Sequence, residues 1–303
     1  MTERLRRSIA DRIAHLSVWR RGDERAPHKP LLLLLAISKA VQGCPRLMSF
    51  AELDEPLRGL LERYGPPRKS YHPEYPFWYL QNDGLWEIPA ADQLPRRRGG
   101  TSAPRSVLLA EGVVGGLPED VYQIVRQDPV TRAETAHFLL EASFPASLHE
   151  DILAELGLPA TGPATTTRRD ARFREMVLRA YEHRCAVCGY DVRFGQCDLA
   201  LEAAHIKWCQ ARGPNEVRNG LALCAIHHKA FDRGAIGLSD DLRVLVSSDL
   251  YGQGWASEWF LRLHDQSLRS PQSQAMQPSA KFVAWHQREV FRAPARDRRD
   301  RVT

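Results

Sequence analysis

Hydrophobic positions near the start of the chain recur at helical spacing. Leu5, Ile9, Ile13 and Leu16 stand three and four apart, with arginines on the opposite face. This predicts an amphipathic helix over residues 4–19. The next apolar run, Leu31 to Ile37, is the most hydrophobic in the chain. It is too short to span a bilayer and predicts a buried helix. Pro30 suits the first turn of that helix. His28 and Lys29 would then stand at its N-terminus, where unpaired N–H groups and the positive dipole end favour an anion. A third helix is predicted over residues 49–64, with Ser49 as N-cap and Glu52 completing a capping box.

The pattern then changes. GPPRKSYHPEYPFWYLQNDGLWEI places five aromatics between Tyr71 and Tyr79. Phe77, Tyr79 and Trp86 suit a core strand pair, with Asn82, Asp83 and Gly84 as the hairpin turn. Two prolines around Tyr75 would freeze a loop and fix its ring. RRRGGTSAP, residues 96–104, sets three arginines before two glycines. Glycine backbone can approach a phosphate closely and arginine can neutralise it, although charge runs are commonly solvated faces.

Helical patterns return over residues 119–156, with Ala136, Leu139 and Leu140, then Ile152, Leu153 and Leu156. The Pro-, Gly- and Thr-rich stretch 158–170 reads as a linker. It separates a first domain, 1–157, from a second, 171–293, with a basic tail over 294–303. Within the second, ARFREMVLRAYEH predicts a short amphipathic helix. LALEAAHI predicts a strand ending near His205, and WCQARGPNEVRNG a loop. ALCAIHHKAFD predicts a helix, and AIGLSDDLRVLVS a small hairpin.

The chemistry concentrates in residues 185–232. Cys185 and Cys188 form a C-x-x-C knuckle, and Cys224 and His227 repeat its spacing. This is a zinc pattern, with four borderline ligands drawn from two tight turns. Placed on one helix, Cys224 and His227 would share a face. His228, turned by about 100 degrees, would be left for a second metal. Phe231 would cover the zinc face. Of the six cysteines, three have zinc spacings and the rest show no disulfide framework, which points to a reducing cytoplasm. Cys197 and Cys209 read as ordinary reduced thiols, with Cys197 left as a competing zinc ligand. A net charge of +5 favours a polyanionic partner without requiring one. No stretch has signal-peptide or membrane-spanning character.

His205, Asn219 and His228, in that order behind the C-x-x-C knuckle, resemble the HNH nuclease motif. APHKPLLLLLAI, YHPEYPFWYLQNDGLW and RRRGGTSAP resemble the sulfur-binding domain of phosphorothioate-dependent restriction endonucleases. The two resemblances together imply an α+β fold. A mixed helix and sheet sulfur-binding domain would precede a C-terminal ββα-metal HNH domain with structural zinc. They further imply that His205 is the general base, that Asn219 braces the loop and orients His205, and that His228 holds a catalytic magnesium or manganese ion. The usual second metal ligand before the first histidine is Ala204 here, which leaves Glu202 and Asp232 as candidates. In the first domain the resemblance implies His28, Lys29, Arg98 and the Gly99–Gly100 backbone around phosphate and bases. Tyr75, Pro76 and Tyr79 would form an apolar wall for sulfur, with Lys29 where the family often has arginine.

The function implied is a modification-dependent endonuclease of type IV kind, acting on phosphorothioated double-stranded DNA. Two other classes compete. One is an HNH nuclease reading another mark, such as methylcytosine, or unmodified DNA. The other is a zinc-stabilised DNA-binding protein with a dead site, which the complete His205–Asn219–His228 set argues against. A double-strand break by a domain that cuts one strand per site calls for a homodimer or two binding events.

Overall fold

The computed structural model describes residues 2–17, 22–159, 168–255 and 259–297, and side chains from residue 6 and from residue 171 in its two units. The chain divides into two compact units, 1–163 and 164–303. Among the described residues no helix is long and apolar enough to cross a membrane.

Unit 1 is built around a single helix. α1 (Thr2–Ala14) is followed by α2 (His28–Val41), whose Leu31–Ile37 run is 0–4% exposed throughout. A helix apolar on every side must be surrounded by other elements. Here α2 is packed by α3 (Phe50–Tyr64), α4 (Glu74–Tyr79), α6 (Glu119–Gln127) and α7 (Pro129–Glu141). The expected capping box opens α3, with the Ser49 hydroxyl accepting from Glu52 N–H and the Glu52 carboxylate accepting from Ser49 N–H. β1 (Leu47–Ser49) pairs antiparallel with β2 (Val114–Gly116), and α5 (Arg105–Ala110) lies between them in the chain. α8 (Ala146–Glu155) ends the unit, with Leu148, Ile152 and Leu156 buried.

The aromatic segment is a correction. Phe77 and Tyr79 lie not on a strand but on α4, which runs into a 3-10 turn over Leu80–Asp83. The expected hairpin turn is the left-handed stop of that turn, at Gly84. Pro73 stands at the N-cap of α4, and Pro76 sits where a missing N–H costs no helical bond. Phe77, Trp78 and Leu80 are all buried, which a half-exposed strand would not allow. The expected linker over 158–170 falls largely on residues 160–167, outside the described residues.

Unit 2 opens on α9 (Arg168–Ala180), followed by the small pair β3 (Arg193–Phe194) and β4 (Cys197–Asp198). The ββα core follows. β5 (Leu201–His205) pairs antiparallel with β6 (Gly220–Cys224) in a register running from Leu201↔Cys224 to His205↔Gly220. α10 (Ala225–Asp232) starts directly after β6. The expected helix over 222–232 is therefore short by three residues. Ala222, Leu223 and Cys224 finish a strand that is buried at every position, and Cys224 is the N-cap of α10. β7 (Ile236–Leu238) and β8 (Val244–Val246) form the expected hairpin, and α11 (Ala280–Glu289) closes the unit. The first residues of the expected basic tail, 294–303, are tied to unit 2. Ala295 bridges Ser247 and Arg296 N–H donates to Val246 C=O, while residues 298–303 lie outside the described residues. The architecture is α+β, as expected.

Candidate functional site

β5, the loop before β6, and α10 carry the three residues of the expected His205–Asn219–His228 set. His205 is the last residue of β5, and its ring stacks on Phe173 of α9 at 3.9 Å between centroids. Its Nε2 lies 2.8 Å from Asn215 Oδ1. An amide oxygen only accepts, so Nε2 carries the proton and Nδ1 the lone pair. Asn219 is fully buried and braces the loop between β5 and β6. Its Oδ1 accepts from Lys207 N–H, and its Nδ2 donates to the carbonyls of Lys207 and Pro214. Gly213 completes the brace by close approach, since a Cβ there would fall 1.8 Å from the Lys207 oxygen. The expected bracing role thus has a geometric basis. The orienting contact on the His205 side chain is a correction, because Asn215 and Phe173 make it rather than Asn219.

His228 sits between two carboxylates. Its Nδ1 is 2.6 Å from Glu202 Oε2, and its Nε2 is 3.1 Å from Asp232 Oδ2. Trp208 Nε1–H donates to the other Asp232 oxygen at 3.0 Å, which fixes that carboxylate. Burial works against a charged imidazole, but the Asp232 charge and the bonds to Asp232 and Glu202 outweigh it and raise the His228 pKa to about 10. The His228 bond pulls the Glu202 carboxyl below its usual range, against some burial. One imidazole nitrogen and a half-exposed carboxylate, backed by a buried carboxylate, are a donor set suited to a divalent ion. Asp232 holds the ring through Nε2, leaving Nδ1 and Glu202 as the pair that would take the ion.

The second metal position is separate. One ligand atom each from Cys185, Cys188, Cys224 and His227 lies within 4.8 Å of all the others, and this cluster could hold a metal ion. The knuckle turns because Gly189 adopts φ +78° and its N–H returns to the Cys185 carbonyl. His227 Nε2–H donates to the Trp259 carbonyl at 2.8 Å, which points Nδ1 at the sulfurs. That outer bond is the one metal-bound histidines make. The rings packed on His227 are Trp259 and Phe260. Phe231, expected to cover this face, stacks on His286 instead. Cys197 and Cys209 stand outside the cluster, and Cys209 Sγ is 3.3 Å from His205 Nε2.

Unit 1 assembles its own surface on α4. His72, Tyr75 and Tyr79, three and four apart, form a row with ring centroids 5.1 and 6.4 Å apart. Arg97 donates to the Tyr75 hydroxyl at 2.7 Å and to Glu74 at 3.1 Å. Glu74 is 3% exposed and its other oxygen has no hydrogen-bond partner. A buried carboxylate thus tethers the arginine that holds Tyr75. Tyr79 OH lies 3.2 Å from the Thr101 hydroxyl. Arg96 lies over Trp78 and donates to the Thr101 and Ala91 carbonyls. Arg98 is exposed and has no partner among the described residues. His28 is half-buried at the start of α2, and burial followed by the charges of Arg68, His72 and Arg25 lowers its pKa to about 4. It is neutral near pH 7 and sits in a positive field.

Three expected members of this surface are placed differently. Pro76 is buried, so the accessible wall is the ring row, exposed at His72 and Tyr75 and half-buried at Tyr79. Gly99 takes φ +67°, but Gly100 N–H donates to the Arg97 carbonyl and is not directed at a ligand. Lys29 Nζ is held by Asp83 and by the Ser17 carbonyl. The Asp83 side chain is 3% exposed, so this is an interior ion pair rather than a phosphate contact. Lys29→Ala is therefore expected to lower stability by roughly 3 kcal/mol, as for one partner of a buried pair. Chemical denaturation would read this. A variant of unchanged stability that bound DNA poorly would return Lys29 to the interface.

The family profile of the ScoMcrA-like, DNA sulfur-binding domain matches residues 6–161, and that of the HNH endonuclease matches residues 185–239. No curated protein matches the chain. The sulfur-binding domain of ScoMcrA complexed with phosphorothioated DNA is 33% identical over 48% of this chain and 96% of that one, with a TM-score of 0.43. The corresponding SprMcrA domain with phosphorothioated DNA is 27% identical over 50% of this chain and 94% of that one, with a TM-score of 0.44. The type IV phosphorothioation-dependent restriction endonuclease ScoMcrA is 31% identical over 54% of this chain, with a TM-score of 0.42, and only 38% of that longer enzyme is covered.

Proposed function

Since the chain belongs to the ScoMcrA-like DNA sulfur-binding domain family, with an HNH endonuclease domain behind it, we propose that it is a phosphorothioation-dependent DNA endonuclease. Unit 1 finds the sulfur mark and unit 2 hydrolyses a nearby phosphodiester. The observation that carries this reading is the presence on one chain of both matched domains, the second with His205, Asn219 and His228 around the ends of one β-hairpin. Such an enzyme would work in the cytoplasm, where the DNA is.

On the reader side, the His72–Tyr75–Tyr79 row offers ring faces to the modified phosphate. Sulfur is larger, more polarizable and a poorer hydrogen-bond acceptor than oxygen. An oxygen placed against those rings loses water without compensation, and a sulfur loses less. Arg98 supplies unpaired charge for the backbone, and His28 stands neutral in the field of Arg68, His72 and Arg25. On the cutting side, His205 takes the proton of the attacking water at Nδ1, while Asn215 and Phe173 hold its ring. Asn219 keeps the loop in place. A magnesium or manganese ion held by His228 and Glu202 would polarise the scissile phosphate and stabilise the leaving oxygen. Cys185, Cys188, Cys224 and His227 hold zinc for structure.

The test is a titration of the full-length His205→Ala protein with matched phosphorothioated and plain duplexes at two salt concentrations. Stranding an oxygen in an apolar contact is worth roughly 1–3 kcal/mol, or about a tenfold to hundredfold preference for sulfur. Tyr75→Ala should erase mainly the preference. Arg98→Ala should weaken both duplexes and reduce the salt slope by about one. Equal affinity for the two duplexes would defeat the sulfur reading and favour a nuclease guided by another mark.

A further inference from the structure

Besides the ring row, unit 1 holds a group of metal-ligating side chains. His137 and Glu141 stand four apart on α7 and so lie one turn apart on one face. His149 comes from α8, beyond the short connection over residues 142–145. One ligand atom from each lies within 4.8 Å of the other two. Glu141 Oε1 is 3.9 Å from His137 Nε2 and 3.8 Å from His149 Nδ1. These separations are too long for hydrogen bonds. They come within half an ångström or so of a tetrahedral ligand edge, about 3.4 Å for bonds of about 2.1 Å.

A separate contact bears on the same point. His149 Nε2 lies 2.9 Å from the Phe144 carbonyl oxygen. A carbonyl only accepts, so Nε2 carries the proton. Nδ1, on the Glu141 side, carries the lone pair. Histidines bound to metal make this outer bond, because it fixes the ring and its tautomer. The two imidazoles meet edge to face, at 87° and 6.3 Å between centroids. The backing is rigid, since Leu140, Phe144, Leu148 and Ile152 are all buried. Glu141 is exposed, so water can complete the coordination.

We propose that His137, Glu141 and His149 form a metal site in the reader unit that clamps α7 to α8. Two imidazoles and one carboxylate select a borderline divalent transition ion such as zinc, cobalt or nickel. Magnesium and calcium prefer sets made of oxygen. The site shares no residue with the cysteine cluster or with the duplex-reading surface. It does not depend on the phosphorothioate reading.

The experiment uses the full-length protein, first dialysed against a weak chelator that spares the cysteine cluster. Zinc is then added back, and bound metal and melting temperature are measured. Wild type should bind one more equivalent than the dialysed protein and melt higher with it. His137→Gln and Glu141→Gln should each lose that equivalent and the rise. Both changes are at accessible positions, and a melting temperature equal to dialysed wild type shows that they fold. With cobalt as the probe, the added equivalent should give weak visible bands without the intense thiolate charge-transfer bands of a cysteine site. The proposal is overturned if wild type takes up no further equivalent, if both variants keep it, or if the added cobalt shows thiolate bands.

Discussion

His205→Ala is expected to slow cleavage of phosphorothioated duplex by about a hundredfold to ten-thousandfold, the range of a lost general base. Duplex affinity should stay within about twofold, because the base acts only in the chemical step. The geometry makes the split sharp. The imidazole is held by Phe173 on one face and by Asn215 at Nε2, and neither belongs to the ring row proposed to read DNA. Asn215→Ala should cost less, because it leaves the base in place and loosens its orientation. Single-turnover cleavage and equilibrium binding on the same preparations separate these outcomes. Asn219→Ala differs in kind. It removes three hydrogen bonds from a buried amide and should destabilise the whole β5–β6 loop. If His205→Ala lost binding in step with cleavage, His205 would be a structural residue.

How far the sequence could be read depends on the range of each interaction. The Ser49–Glu52 capping box and the Leu31–Ile37 core helix are written in a few adjacent residues, and both are found where expected. The cysteine and histidine spacings were equally local. The aromatic segment failed because ring-rich, β-favouring residues mimic a strand. What overrides that preference is burial of Phe77, Trp78 and Leu80 against the helices around them, which no short window contains. The difference bears on function. On a strand, Tyr75 and Tyr79 share a face with Phe77; on α4 they join exposed His72 in a row that ends on half-buried Tyr79, while Phe77 turns inward.

Other site features join residues too far apart for any motif. Lys29 finds Asp83 across 54 residues, Arg97 finds Glu74 across 23, and His228 finds Glu202 across 26. Charge type was visible at each position, but pairing was not. From sequence, Lys29 therefore reads as a phosphate ligand, and no motif singles out Asn215 or Phe173. NEVRN does carry a trace of the first, an asparagine four residues before Asn219 in a turn-rich loop. Nothing near Phe173 signals its stack on His205, because α9 reaches the nuclease hairpin only by packing.

Stripping zinc from the cysteine cluster is expected to unfold the ββα unit and leave the α2-centred unit intact. The cluster joins the knuckle at Cys185 and Cys188 to the end of β6 at Cys224 and the first turn of α10 at His227. These segments carry the hairpin that presents His205 and the helix that presents His228. Structural zinc contributes on the order of 10–16 kcal/mol in small zinc-binding peptides, which matches or exceeds the whole stability of an ordinary domain, about 5–15 kcal/mol. Without the ion, three sulfurs and an imidazole must share protons, with Cys185, Cys224 and His227 buried and only Cys188 open to water. Bonds from Cys188 and Cys224 hold the Cys185 thiol far below its usual range, and the contact with Cys185 drives Cys188 up. The α2 helix draws on no metal of this cluster, since its core is the apolar Leu31–Ile37 run. Hydrogen exchange after treatment with a strong chelator reads the two units separately. Amides of β5 and β6 should lose protection while those of α2 keep it, and metal analysis should find one tightly held zinc at the cluster beforehand. Protection of β5 and β6 that survived complete removal of zinc would show that packing alone holds the nuclease hairpin.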